Sequence, residues 1–254
     1  MAITIKSERE IELMAEAGKI LERGHNELEK ALRPGMSTKD IDTLGEEIIR
    51  SYGCIPSFLN YNGYPASICV SVNQEVVHGI PDKHRIIQEG DIVSLDAGVI
   101  YKGYHSDAAR THAVGEVSEE AKKLIQVTKE SFFEGIKFAK AGNHLFDISG
   151  AIGRYAEERG YGVVRDLCGH GIGTALHEAP EIPNYEVGRK GVRLRPGMTL
   201  AIEPMINIGT HEVDWLDDDW TVVTRDGSLS AHYENTILIT EGEPRILSLT
   251  CENE

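Results

Sequence analysis

The chain repeats itself at one fixed spacing. Arg33-Pro-Gly35-Met-Ser-Thr-Lys-Asp40-Ile41 matches Lys140-Ala-Gly142-Asn-His-Leu-Phe-Asp147-Ile148 at Gly, Asp and Ile, each pair offset by 107 residues. The same 107-residue offset joins Gly53 to Gly160, Gly90 to Gly197 and Asp96 to Glu203. Each half reads as helix, helix, then strands, with a carboxylate ending the same strand. The pattern predicts an α+β chain of two similar halves, roughly residues 7–115 and 118–250, within a single domain spanning residues 1–254.

The first carboxylate lies on a β-hairpin. Its first arm, Ile92 to Ile100, is apolar and β-branched, and Lys102-Gly103 forms a two-residue turn. If Tyr101 faces Tyr104, then Gly98 faces Asp107 and Ala109 faces Asp96. Side chains alternate faces along a strand, so Asp96 and Asp107 share one face, about 7–8 Å apart on the diagonal. Two such carboxylates do not both stay ionised without a cation between them. A pseudo-twofold relation between the halves sets Asp96 opposite Glu203. The second hairpin strand of each half then supplies Asp107 and Glu234. Burying four bare carboxylates costs several kcal/mol or more per charge. Together with one histidine they form the donor set of a dinuclear site, with ions about 3.5–4 Å apart. His170, flanked by Gly169 and Gly171, is the candidate. A nitrogen donor biases such a site toward Mn, Fe, Co or Zn.

The remaining elements follow from caps and periodicity. Ser7 with Glu10 is a capping-box pattern opening an amphipathic helix closed by Pro34-Gly35. Ser37 and Thr38 cap a second helix to about Tyr52. An aromatic loop runs from Phe58 to Pro65, and Ala66–Val77 reads as a strand pair broken at Asn73-Gln74. Ser118 opens a long helix to about Ala141, and another runs from about Leu145 to Arg159. Val163-Val164 reads as a short strand, Cys168–Gly173 as a glycine-rich loop and Met198–Glu203 as a strand. Trp220–Arg225 and Ser230–Thr240 read as a second hairpin around Asp226-Gly227. Asp217-Asp218-Asp219 is expected to be a solvated acidic turn, His144 and His211 to be surface residues, and the cysteines other than Cys69 to be core residues.

Charge and cysteines narrow the setting. A formal charge of −15 argues against broad DNA binding or anionic-membrane binding. The four cysteines, Cys54, Cys69, Cys168 and Cys251, form no Cys-x-x-Cys pair, which suits a reducing compartment. The start carries no signal-peptide core, and no run approaches the roughly 20 apolar residues of a membrane span. A cytoplasmic protein is expected.

The set Asp96, Asp107, Gly-His170-Gly-Ile-Gly, Ala-Ile-Glu203-Pro and Tyr-Glu234-Asn resembles the type I methionine aminopeptidases, dinuclear metallopeptidases of the pita-bread fold. The resemblance runs from the first helix to the last strand. It implies removal of the initiator methionine from nascent chains whose second residue is small. It also implies that Asp107 and Glu234 bridge two metals, that Asp96 binds one, and that His170 and Glu203 complete the other. By the same resemblance a water shared by the metals attacks the first peptide carbonyl. Glu203 relays the proton, and His78 and His177 act on the carbonyl and the scissile amide. Phe58, Tyr61, Tyr64, Cys69, Leu176 and Trp220, with both histidines, match the substrate pocket. Asn73, Val76 and Ser230 match a monovalent-cation site. A monomer acting on nascent N-termini, at the ribosome, is the partner expectation.

Three positions depart from the family pattern. Gly98 stands where Thr is frequent, Leu176 where an aromatic residue is common, and His232 where Gln is common. A proline-directed aminopeptidase or dipeptidase of the same fold is the rival enzyme. Those relatives carry an extra N-terminal domain, whereas this chain begins almost directly with its helices. A non-catalytic binding protein on this scaffold is the rival of another class, and such relatives have typically lost ligands.

Overall fold

The computed structural model describes residues 3–249. The first half contains α1 (Glu8–Ala31), α2 (Thr38–Ser51), β1 (Ile55–Pro56), β2 (Ile68–Val72), β3 (Glu75–Val77), β4 (Ile92–Tyr101) and β5 (Tyr104–Ala113). The second contains α3 (Glu119–Ile136), α4 (Leu145–Glu157), β6 (Gly162–Val163), β7 (Gly169–Gly171) and β8 (Glu178–Ile182). It continues with β9 (Thr199–Ile202), β10 (Met205–Asn207), β11 (Val213–Trp215), β12 (Val222–Thr224), β13 (Ser230–His232), β14 (Asn235–Leu238) and β15 (Arg245–Ile246). The class is α+β with antiparallel pairing, as expected.

Helix starts follow the capping chemistry. Ser7 N–H donates to Glu10 Oε2 at 2.7 Å, and Ser118 Oγ accepts from Ala121 N–H at 3.1 Å. The repeated aspartates have one job: Asp40 accepts from Ser37 N–H and Asp147 from His144 N–H, both at 2.8 Å. An N3 carboxylate here meets the positive end of the helix. The matched glycines share a backbone state too, Gly35 at φ 91° and Gly142 at φ 92°. That left-handed state is nearly free only for glycine. Part of the repeat therefore records helix entry rather than chemistry.

The hairpin register is Tyr101↔Tyr104, Gly98↔Asp107 and Asp96↔Ala109. Lys102 (φ 50°) and Gly103 (φ 87°) both take positive φ at the turn. β4 is paired on one edge with β5 and on the other with β2 and β1. In the second half the order is β15-β14-β9-β7-β8. The halves join where β5 meets the approach to β14. Ala109 and Glu234 exchange backbone hydrogen bonds at 3.3 and 3.0 Å, and Asp107 N–H donates to Thr236 Oγ1 at 2.9 Å. One core packs α1 and α2 against β2 and β4 through Leu21, Ile41, Ile68 and Leu95. Another packs α3 and α4 against β9 and β14 through Phe132, Ile148, Leu200 and Ile237.

Several expectations fail for physical reasons. β2 and β3 are not partners: β2 pairs with β4 and β3 with β12, and every residue of β2 is buried rather than alternating. Residues 220–240 do not form a hairpin. β12 pairs with β11 and β3, β13 with β10, and β14 with β9, so Tyr233 and Glu234 sit in a break between strands. α3 stops at Ile136, where Phe138 and Ala139 N–H groups bond three residues back and tighten the chain. α4 stops at Glu157. The glycine-rich segment is not a loop, since β7 is an inner strand between β9 and β8. A Cβ at Gly171 would lie 2.1 Å from Ala179 O, so the glycine permits close strand approach. His144 and His211 are partly buried, and His144 heads α4 and bridges to Arg193. Cys54 is buried as expected, Cys168 is only partly so, and Cys251 lies outside the described residues. Asp217-Asp218-Asp219 is an exposed turn, with Asp218 accepting from Trp220 and Thr221 N–H groups.

Candidate metal centre

Asp96 and Asp107 project from β4 and β5, Glu203 follows β9, Glu234 precedes β14 and His170 is central in β7. All five expected donors line one cavity of about 290 Å³. Asp107, His170 and Glu234 bring donor atoms within 4.8 Å of one another. His170 Nε2 lies 3.9 Å from Asp107 Oδ2 and 3.7 Å from Glu203 Oε1. Its Nδ1–H donates to Gly171 O at 2.9 Å, so Nε2 keeps its lone pair toward the carboxylates.

The electrostatics state the need for a cation. Asp107 and Glu234 are 3 % and 2 % exposed. Burial pushes the Asp96 carboxyl up to about 7 and Glu203 up to about 8. Asp107 and Glu234 rise well above the usual range, first through burial and then through the neighbouring carboxylates. Burial lowers His170 to about 3. Asp96 Oδ1, Asp107 Oδ1 and Glu234 Oε1 are buried and have no hydrogen-bond partner among the described residues. Orphaned buried carboxylate oxygens beside a neutral imidazole fit divalent metal and fit little else.

The cavity wall is aromatic. Tyr64 and Trp220 meet edge to face with centroids 5.1 Å apart, and the Tyr64 hydroxyl donates to Gly79 O at 2.9 Å. Phe58, Tyr61, Cys69 and Leu176 complete the wall, with His78 and His177 at its edge. His177 is exposed, its Nδ1 is 2.8 Å from the Tyr61 hydroxyl, and its ring stands 4.2 Å from that of His170. Burial lowers His78 to about 4. A Cβ at Gly98 would lie 2.8 Å from Ser57 Cβ and 2.9 Å from Phe58 Cε1, so Phe58 takes the room a larger residue would need. Away from the cavity, Ser230 N–H donates to Asn73 O at 2.9 Å.

Other lining residues were missed by sequence reasoning. Cys168 and Met205 line the cavity. Behind it His232, singled out above only as a departure from the family pattern, is 2 % exposed and puts Nε2 3.6 Å from Glu203 Oε2. Each lies two positions from an expected donor (His170, Glu203 and Glu234), the spacing at which side chains of extended chain share a face. Asp166 also lines the cavity, and nothing in its local sequence marks it.

The sequence profile of metallopeptidase family M24 matches residues 12–241. A methionine aminopeptidase of Clostridium acetobutylicum is 58 % identical over 98 % of this chain and its own full length. The crystal structure of a methionine aminopeptidase from Thermotoga maritima superposes with a TM-score of 0.96 at 47 % identity, covering 98 % of this chain and 100 % of that one. A Xaa-Pro dipeptidase from Bacillus anthracis gives 0.77 at 28 % identity, and the match spans 97 % of this chain but only 62 % of that one. The fold is the pita-bread fold, and the M24 family uses divalent metal. The chain belongs to metallopeptidase family M24, among its methionine aminopeptidases.

Proposed function

We propose that this chain removes the N-terminal methionine from peptides and nascent proteins whose second residue is small, with two divalent metals at Asp96, Asp107, His170, Glu203 and Glu234. The observation that carries the reading is the meeting of five donors, four buried and Glu203 partly so, with an aromatic, thiol-bearing wall in one cavity. The metals supply a Lewis acid for the scissile carbonyl and acidify water at neutral pH. Glu203 takes the proton of the attacking water and returns it to the leaving amine. His177, held through Nδ1 by Tyr61, keeps Nε2 for the substrate, and with His78 it stabilises charge developing on the scissile amide. Phe58, Tyr61, Tyr64, Cys69, Leu176 and Trp220 hold the methionine side chain, whose sulfur gains about 0.3–1.5 kcal/mol from each aromatic contact.

Donors come from both repeats, so residues 7–115 and 118–250 act as one catalytic domain in this reading. Manganese, iron, cobalt and zinc all suit four carboxylates and one imidazole. Asn73, Val76 and Ser230 hold a monovalent cation. The protein works in the cytoplasm as a monomer on nascent N-termini at the ribosome. Among the described residues no helix is long and apolar enough to cross a membrane. The test is cleavage of Met-Ala-Ser against Met-Lys-Ser with added Mn²⁺, followed by mass spectrometry. Cleavage of the first and sparing of the second is expected. Preference for Xaa-Pro peptides would contradict the reading.

A further inference from the structure

His177 is the exposed member of the proposed catalytic set, yet it sits on a short turn between β7 and β8. Something outside that turn has to hold it. The N-terminal segment does so. Lys6 is 7 % exposed although it lies within a few residues of the chain start. Its Nζ donates to Glu178 Oε2 at 2.7 Å and also to the Thr4 hydroxyl. Thr4 Oγ1 donates to the same Glu178 oxygen at 2.6 Å. The other oxygen, Oε1, accepts from Ala175 N–H at 3.3 Å and so closes the turn around His177. The lysine is fixed in turn by Lys6 N–H donating to Gly197 O at 2.8 Å. A Cβ at Gly173 would lie 2.4 Å from Lys6 Cε, so the turn is shaped to the lysine stem.

Burying an ammonium and a carboxylate together is costly unless geometry and further hydrogen bonds compensate. An apolar pair would fill the space. The charged pair adds direction, because it fixes the carboxylate that fixes Ala175, and the His177 backbone lies between those two contacts. Tyr61 then fixes the ring through its Nδ1 contact.

We propose that Lys6 is a positioning residue for His177, holding the 173–178 turn through the buried Lys6–Glu178 ion pair. The inference rests on the reading of His177 as a group that touches substrate. Displacements of about 1 Å in such a group cost on the order of a hundredfold in rate.

The test uses full-length Lys6→Met, Lys6→Arg and Glu178→Gln, each loaded with Mn²⁺. Lys6→Met is expected to lower kcat roughly 10- to 100-fold, with KM changed by less than about threefold and Mn²⁺ affinity unchanged. Lys6→Arg should recover most of the rate, and Glu178→Gln should share the loss. Lys6→Met combined with His177→Ala should be no slower than His177→Ala alone. In the diamagnetic Zn²⁺-loaded proteins, the His177 ring resonances should move in Lys6→Met and return in Lys6→Arg. Unchanged kcat in Lys6→Met, multiplicative losses in the double variant or an unmoved His177 signal would overturn the proposal. If Lys6→Met does not fold, Glu178→Gln and Lys6→Arg decide the same questions by the same rates and resonances. A wild-type protein that leaves Met-Ala-Ser intact would refute the proposed function, and the His177 resonances would still decide the role of Lys6.

Discussion

His170 is committed to one tautomer by its own strand. Its Nδ1–H is held by Gly171 O, and Nε2 faces Asp107 and Glu203. His177 has a different attachment, to the Tyr61 hydroxyl, and stands at the mouth. The two histidines therefore separate under mutation. His170→Ala should lose metal affinity by at least about tenfold and lose activity with it. His177→Ala should bind metal normally and lose rate by about 10²–10³-fold. Calorimetric metal titration beside peptide kinetics checks both, and equal metal affinity in the two variants would remove His170 from the donor set. At this scale the donors are legible because carboxylates inside apolar strands contradict burial energetics. Their neighbours are not. Cys168 and Met205 have soft side chains that any core would accept, and only their position two residues from a donor distinguishes them.

The strand that carries His170 shows why composition can mislead about an element. Glycines suggest a loop because they cost backbone entropy in a strand. In β7 they are required, since Cβ atoms at Gly169 and Gly171 would lie 2.4 and 2.1 Å from backbone oxygens of Ala201 and Ala179. Backbone cannot yield as a flexible side chain does. Gly171→Ala should cost about 2–3 kcal/mol or more and reduce metal binding, read as a lower urea midpoint at unchanged slope. A stability within about 0.5 kcal/mol of wild type would refute this account of β7. The β4–β5 hairpin was legible down to its residue pairing because a Lys-Gly turn and alternating apolar residues specify one register. The segment around Glu234 was not. Its strands pair with β3, β10 and β9, all distant in sequence, and local sequence carries no record of them.

Across the whole molecule, the metal-free site stores unfavourable charge. Asp96 and Glu203 ionise at about 7 and about 8 in the fold, well above unfolded carboxylates. The folded state therefore binds more protons than the unfolded chain, and these groups lower stability as pH rises toward 8. His25, His78, His170 and His232, all lowered mainly by burial, act oppositely, but only below the ordinary histidine range near 6.5. Between pH 6.5 and 8 the carboxylates remain. The metal-free protein should lose several degrees of Tm over that window, and saturating Mn²⁺ should abolish most of the loss, with protons released on binding. Scanning calorimetry with and without metal checks the sign, and a metal-free Tm that rises through the window would contradict it. The repeated helix-helix-strand order and the Asp96/Glu203 pairing were legible from one repeated spacing; Asp107, Glu234 and His170 do not keep it. The N-terminal clamp on the 173–178 turn was not, because Lys6 and Glu178 lie far apart in sequence and match no pattern.

Methionine release from Met-Ala-Ser, measured before and after exhaustive chelation and again after adding Mn²⁺, Fe²⁺ or Co²⁺, tests metal-dependent aminopeptidase action most directly. Activity should fall to background on chelation and return with metal. Undiminished cleavage by the fully chelated protein would contradict the account.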